Sequence, residues 1–193
     1  MIALPDVVTR RWTRAEYERL IDLGVFRPGE RLELLAGVMV VREPQGSGHA
    51  MAVQLVQEAL LRTFGPGWAV RAQLPIALDD ESEPEPDVAV VRGHARDYPD
   101  GHPAEPVLVV EVADSTLRLD RRAKLPLYAR ARVPEYWIVN LVDRVLEVHR
   151  APTGPVEAPA EPRYGERVVI AHEGVVRPLA APAAEITVAD LLP

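Results

Sequence analysis

Apolar residues in the second half of this chain come in short runs separated by proline, glycine and acid. PDVAVV (Pro86 to Val91), VLVVEVA (Val107 to Ala113), EYWIVN (Glu135 to Asn140) and RVLEVHR (Arg144 to Arg150) each have strand length. VLVVEVA is apolar at nearly every position, the pattern of a strand covered on both faces. Pro84 and Pro86 cannot donate to a sheet ladder, which places them just before the strand or on its edge. The last two runs predict a hairpin turning around Leu141 to Asp143.

The first half alternates helix and strand signals. Thr13 opens T-R-A-E, a capping-box pattern with Glu16, and predicts a helix to about Leu23 with Ala15, Leu20 and Leu23 as apolar positions. RLELLAGVMVVRE predicts a hairpin turning at Gly37. A second helix begins at Ser47 or Gly48, with Met51, Leu55 and Leu61 on its apolar face, and ends at Gly65-Pro66-Gly67. WAVRAQLPIAL alternates up to Pro75. A third helix is expected from Ser115-Thr116, which would cap it, to about Arg130. Pro126 should then lie near its first turn, since a start close to Leu119 would require a kink. After a proline-rich surface loop (Ala151 to Pro162), RVVI (Arg167 to Ile170) reads as one more strand and ITVADLLP as a terminal helical turn. The class is therefore α/β in the α+β sense, one mixed sheet with helices packed on it. The whole chain, 1–193, reads as a single domain, with a core over about 13–150 and a C-terminal extension over 151–193.

Composition narrows the partners. No apolar run approaches the roughly eighteen residues of a membrane span. The start MIALPDVVTRRW lacks a secretory pattern, so a cytoplasmic location is expected. Zero cysteines removes disulfides and thiolate metal sites. A formal charge of −7 argues against broad nonspecific nucleic-acid binding but allows a local basic groove. Arg118, Arg121 and Arg122, with Arg130 and Arg132, are the residues for one, the alternative being a solvated helix face. Exposed strand edges and small size are compatible with a homodimer.

One chemical oddity stands out. Glu111 lies inside VLVVEVA, and an ionised carboxylate taken out of water costs several kcal/mol unless something pairs with it. Asp87 occupies a matching place in the preceding run, and Lys124 is the only lysine in the chain. Two carboxylates on neighbouring strands can present oxygens to one Mg2+ (or Mn2+) ion, and a nearby amine can orient water or bind a phosphate oxygen. Together they form a minimal kit for phosphodiester hydrolysis. Structural readings remain open beside it: Asp87 capping a strand, Glu111 paired with Arg71, Arg118 or Arg121, and Lys124 on the surface. Tyr128, Tyr136 and Trp137 read as core aromatics with polar tips. His94, His102, His149 and His172 show no metal-ligand spacing, and no G-x-S-x-G or Walker pattern is present.

PEPDVAVV, VLVVEVADST and DRRAKLPLYARARVPEYWIVN resemble the bacterial Uma-two family of restriction-endonuclease-like proteins, a branch of the PD-(D/E)XK nuclease superfamily. ERLELLAGVMVV and GHAMAVQLVQEAL extend the resemblance over most of the chain to about Arg150. It implies a restriction-endonuclease-like mixed sheet flanked by helices and a magnesium-dependent site acting on DNA, with Asp87 and Glu111 as the motif acids. The superfamily lysine would fall two residues after the acid, where this chain has Ala113; Lys124 matches the lysine of the Uma-two branch. Glu33 matches an acidic position of the first hairpin and His49 a histidine at the next helix start. The expected function is a metal-dependent endodeoxyribonuclease. The alternative is a catalytically inactive nucleic-acid-binding or protein-interaction module on the same fold, favoured by the acidic charge and the displaced lysine.

Overall fold

The computed structural model describes residues 9–42, 44–153 and 161–193. Its centre is a six-stranded sheet in the order β3-β4-β5-β6-β7-β8, formed by Trp68–Ala72, Val88–Arg92, Leu108–Ala113, Glu135–Asn140, Val145–Thr153 and Arg163–Ala171. Every neighbouring pair is antiparallel except β5 and β6, which run parallel in the register Val109 to Tyr136 through Ala113 to Asn140. A parallel pair needs a crossover, and here it carries α3 (Leu117–Leu119), a π-helical turn (Asp120–Lys124) and α4 (Leu125–Arg130). The hairpin β1 (Leu32–Leu35) and β2 (Val38–Val41) is attached at one end through a bridge from Leu34 to Glu83. Its turn has Ala36 at φ 47° and Gly37 at φ 76°, the left-handed pair that a tight hairpin demands.

The two faces of the sheet are covered differently. Val88, Val90, Val110 and Val112 meet α2 (Ser47–Thr63) and the C-terminal Val176, Ile186, Val188 and Leu191. The opposite face carries Ala89, Val109, Ala113 and Ile138 against Tyr128 and Ala129 of α4 and Tyr164 of β8. Since β5 is covered on both sides, every one of its residues is buried, Glu111 included.

Several local expectations are corrected. α1 (Arg14–Asp22) has the Thr13–Glu16 capping box, but it buries Tyr17, whereas Ala15 and Leu23 are exposed and Leu20 is half-buried. α2 buries Ala52, Val53, Val56, Ala59 and Leu60, while Met51 and Leu61 are exposed and Leu55 is half-buried. The buried stripe mixes the small Ala52 and Ala59 with Val53, Val56 and Leu60, so it is offset from the face that Met51 and Leu61 suggest. β3 stops at Ala72 because Gln73 adopts φ 52°. The last strand of the sheet is nine residues long rather than four, and β7 runs to Thr153. The predicted proline-rich loop thus loses Ala151 to Thr153 to β7, and of its remainder 154–160 lie outside the described residues. Residues after Arg150 supply both an edge strand and core side chains, so the core reaches past the expected limit.

The crossover resolves Pro126 in a way that periodicity does not reveal. Helical structure starts at Leu117, and the Leu125 N–H donates to Asp120 O, five residues back. Pro126 has no N–H and its ring crowds the preceding turn, so the widened turn accommodates it without a break. The same widening leaves Asp120 and Lys124 buried.

Candidate active site

Asp87 and Glu111 are the residues just beyond the Val88–Val110 pair of the antiparallel β4–β5 ladder. Directly opposed residues in such a ladder share a face, so both carboxylates lie on the side covered by the crossover. Proline explains why the ladder stops there: Pro84 and Pro86 cannot extend it. The peptide N–H of Val112 instead donates to Asp87 Oδ2 at 2.9 Å, fixing the carboxylate at the strand end. The His49 Nε2, from the first turn of α2, stands 3.3 Å from the same oxygen, and Arg42 NH2 lies 3.4 Å from Oδ1.

Lys124 reaches this place from the π turn. Its Nζ donates to Glu111 Oε1 at 3.0 Å and lies 3.3 Å from Glu33 Oε2. Tyr128, one turn further along, donates its hydroxyl to the same Glu111 oxygen at 2.7 Å. Glu33 is held by the Glu85 N–H at 3.1 Å, and Thr116 Oγ1 donates to Asp120 Oδ2 at 2.8 Å. Thr116 therefore binds an acid four residues on instead of capping its helix. Glu33, His49, Asp87, Glu111, Asp120 and Lys124 all line one open cavity of about 280 Å³, together with Arg42 and the loop before α2.

Electrostatics follow from four carboxyl groups gathered about one amine. Burial works against the Lys124 ammonium, but Glu111, Glu33, Asp120 and Asp87 outweigh it and hold the amine charged beyond the ordinary lysine range. Burial pushes the Glu111 carboxyl up to about 8 against the pull of Lys124. Asp120 is pushed up to about 6 by burial, opposed by Lys124 and the Thr116 hydroxyl. Asp87 goes the other way: burial raises it, but the His49 imidazole, the Val112 N–H and Lys124 prevail and keep it below the usual carboxylate range. His49 is depressed by burial and lifted by Asp87, with a net rise.

The donor set can be tested against a magnesium or manganese ion. Among the described residues no three His, Asp or Glu side chains form a ready-made cage. Mg2+, however, characteristically takes one or two carboxylates and keeps waters for the rest of its shell. Both hydrogen bonds to Glu111 fall on Oε1, and no described residue donates to Oε2. Among the described residues, Asp87 Oδ1 has only the long approach of Arg42. Five acids outnumber Lys124, Arg42 and His49 on the cavity wall, and a divalent ion would displace the protons that burial holds on Glu111 and Asp120. Hard oxygens, spare lone pairs and surplus charge fit a divalent cation.

The arginines expected at a DNA groove separate. Arg118 and Arg122 are exposed and make no hydrogen bond or ion pair among the described residues. Arg121 differs from that expectation, since it is bound to the buried Glu147 of β7, which also takes Arg167 at 3.1 Å. Arg71 donates to Pro75 O at 3.3 Å and leaves Glu111 alone. Asp120 and Tyr128 were missed as site residues. Their signal was spacing, because Asp120, Lys124 and Tyr128 recur every four residues, as one helix face requires. Arg42, at the end of the first hairpin, carried no signal in the sequence.

A family model described as "Putative restriction endonuclease", Uma2, matches residues 14–187. No curated protein matches the chain. Among solved structures, "a putative nuclease belonging to DUF820" from Anabaena variabilis ATCC 29413 superposes with a TM-score of 0.66 at 14% identity, covering 88% of this chain and 94% of that one. At that identity the likeness is one of fold: a mixed sheet flanked by helices, shared with the nuclease neighbour.

Proposed function

This chain belongs to the Uma2 family, and on that premise we propose that it is a metal-dependent endonuclease that hydrolyses phosphodiester bonds in DNA. The observation that carries the reading is the meeting of Asp87 and Glu111, opposed on adjoining strands, with the Lys124 amine 3.0 Å from Glu111 inside one open cavity. Asp87 and Glu111 would hold Mg2+ or Mn2+. When bound, such an ion polarises a phosphodiester and lowers the pKa of a coordinated water.

The protein groups have roles set by their charge. Lys124 is kept protonated by the acids around it, so it acts as a donor to a phosphate oxygen or an attacking water and not as a base. Tyr128 and Lys124 both donate to Glu111 Oε1, which leaves Oε2 free of donors among the described residues. The Val112 N–H and His49 orient Asp87. Glu33 anchors the amine from the hairpin side. Arg118 and Arg122 are exposed cations on the crossover that would meet the sugar–phosphate backbone.

A substrate panel tests this reading: single-stranded DNA, duplex DNA, branched DNA and RNA, each with Mg2+, with Mn2+ and with chelator. Metal-dependent internal cleavage of a DNA member supports it. Absence of cleavage on every substrate, with no divalent ion bound by calorimetry even when DNA is present, would leave the inactive binding module in its place.

A further inference from the structure

A second cavity, of about 430 Å³, lies between α1 and the start of β1, away from the Asp87–Glu111 pair. Part of its lining is apolar and aromatic, with Ile21, Pro75 and the rings of Tyr17 and Phe26, which stand 6.0 Å apart between centroids, and part carries Glu30, Arg31, Glu83, Glu85 and His102. Glu83, only 2% exposed, is among the residues that line it. The Glu83 backbone is fixed by exchanging hydrogen bonds with Leu34, N–H to O at 2.8 Å and O from N–H at 3.2 Å. Its Oε2 is buried without a hydrogen-bond partner among the described residues. Oε1 has His102 Nε2 at 3.9 Å, and burial together with the neighbouring Glu18 carboxyl pushes Glu83 up to about 7 against the pull of Arg14.

We propose that this cavity binds a small aliphatic ammonium ion, with the cationic head on Glu83 and the carbon chain against Tyr17, Phe26 and Ile21. A buried carboxylate with an idle oxygen is costly unless compensated by positive charge. An ammonium group donates to that oxygen, and its charge is attracted to the faces of aromatic rings. A metal ion fits less well, because among the described residues no third His, Asp or Glu completes a set of ligands, and the rings offer a metal nothing. An anion is disfavoured because Glu83, Glu30 and Glu85 outnumber Arg31, which is itself paired with Glu85.

The test is an amide-shift titration of the full chain with n-butylammonium, using n-butanol as the neutral isostere. The expected result is saturable millimolar binding of the amine, with shifts concentrated at Gly24, Phe26, Glu83 and His102. Glu83→Gln should weaken it at least tenfold and Glu111→Gln should leave it unchanged. The isostere should bind tenfold or more weakly. If Glu83→Gln fails to fold, Phe26→Ala serves in its stead and should weaken binding severalfold. Equal binding of amine and alcohol, affinity retained in the substituted chain, or shifts confined to the Asp87 cavity would each overturn the proposal.

Discussion

Lys124 donates to Glu111 Oε1 at 3.0 Å with both side chains almost fully buried. The amine comes from a π turn in the crossover and the acid from the strand that precedes it, so the pair ties the helix to the sheet. Removing one partner of a buried ion pair leaves the other charge uncompensated. Glu111 is ionised in the folded chain only above about 8, so Lys124→Ala should destabilise the chain by about 3–5 kcal/mol in urea unfolding near pH 9. A loss below about 1 kcal/mol would mean that the pair is solvated and the site is not as described.

Tyr128→Phe isolates a single hydrogen bond, since the ring stays and only the donor to Glu111, at 2.7 Å, is lost. Near pH 9, where Glu111 is ionised, a hydrogen bond to a charged group contributes about 1.5–3 kcal/mol, and urea unfolding should show a loss in that range without altered secondary structure. An unchanged midpoint would contradict the contact.

In the folded chain Glu111 keeps its proton up to about 8, whereas its ordinary value is 4.5. Asp120 does the same up to about 6 against 3.8. Between those limits the folded state binds more protons than the unfolded one, so metal-free stability falls as pH rises from about 4 to 8. Asp87, held below its ordinary range, acts oppositely: its stability is present above that ordinary value and lost on acidification through the folded one. Urea midpoints near pH 5 should exceed those near pH 8, and Glu111→Gln should flatten the difference. Mg2+ competes with protons for the same oxygens, so it should stabilise more near pH 8 than near pH 5. Stability that rises over this interval without metal would contradict the buried, protonated Glu111.

The three crossover arginines should behave as two kinds. Arg121→Ala breaks the contact with buried Glu147 and should lower stability, with Arg167 limiting the loss to about 1–2 kcal/mol. Arg118→Ala and Arg122→Ala should leave stability within about 0.5 kcal/mol. Each should weaken DNA binding uniformly across sequences and reduce the salt slope by about 1. Fluorescence anisotropy over a salt series separates the cases.

How much of this was legible in the sequence depends on what each signal reports. The acids were visible because a carboxylate within VLVVEVA breaks the apolar run, and the lysine because no other exists. The Thr13–Glu16 capping box and the Gly37 turn were visible because their chemistry is local. The contact face of α2 was not, because apolar size points to Met51 and Leu61 whereas the buried stripe runs through Ala52, Val53, Val56, Ala59 and Leu60. The π turn was hidden because Pro126 admits a late start, a kink or a wider turn, and only the packing of Asp120 and Lys124 under the helix chooses among them. The Arg121–Glu147 pair was hidden because it joins residues 26 apart through the tertiary fold, and a charged run reads the same whether solvated or paired.

The most direct measurement is the rate of Mg2+-dependent DNA cleavage by the intact chain beside Asp87→Ala and Glu111→Ala, each shown to be folded. The predicted result is cleavage by the parent chain that chelator abolishes, reduced by at least about a hundredfold in either variant. Cleavage at the parent rate in both variants would contradict the assignment of these two carboxylates to the site.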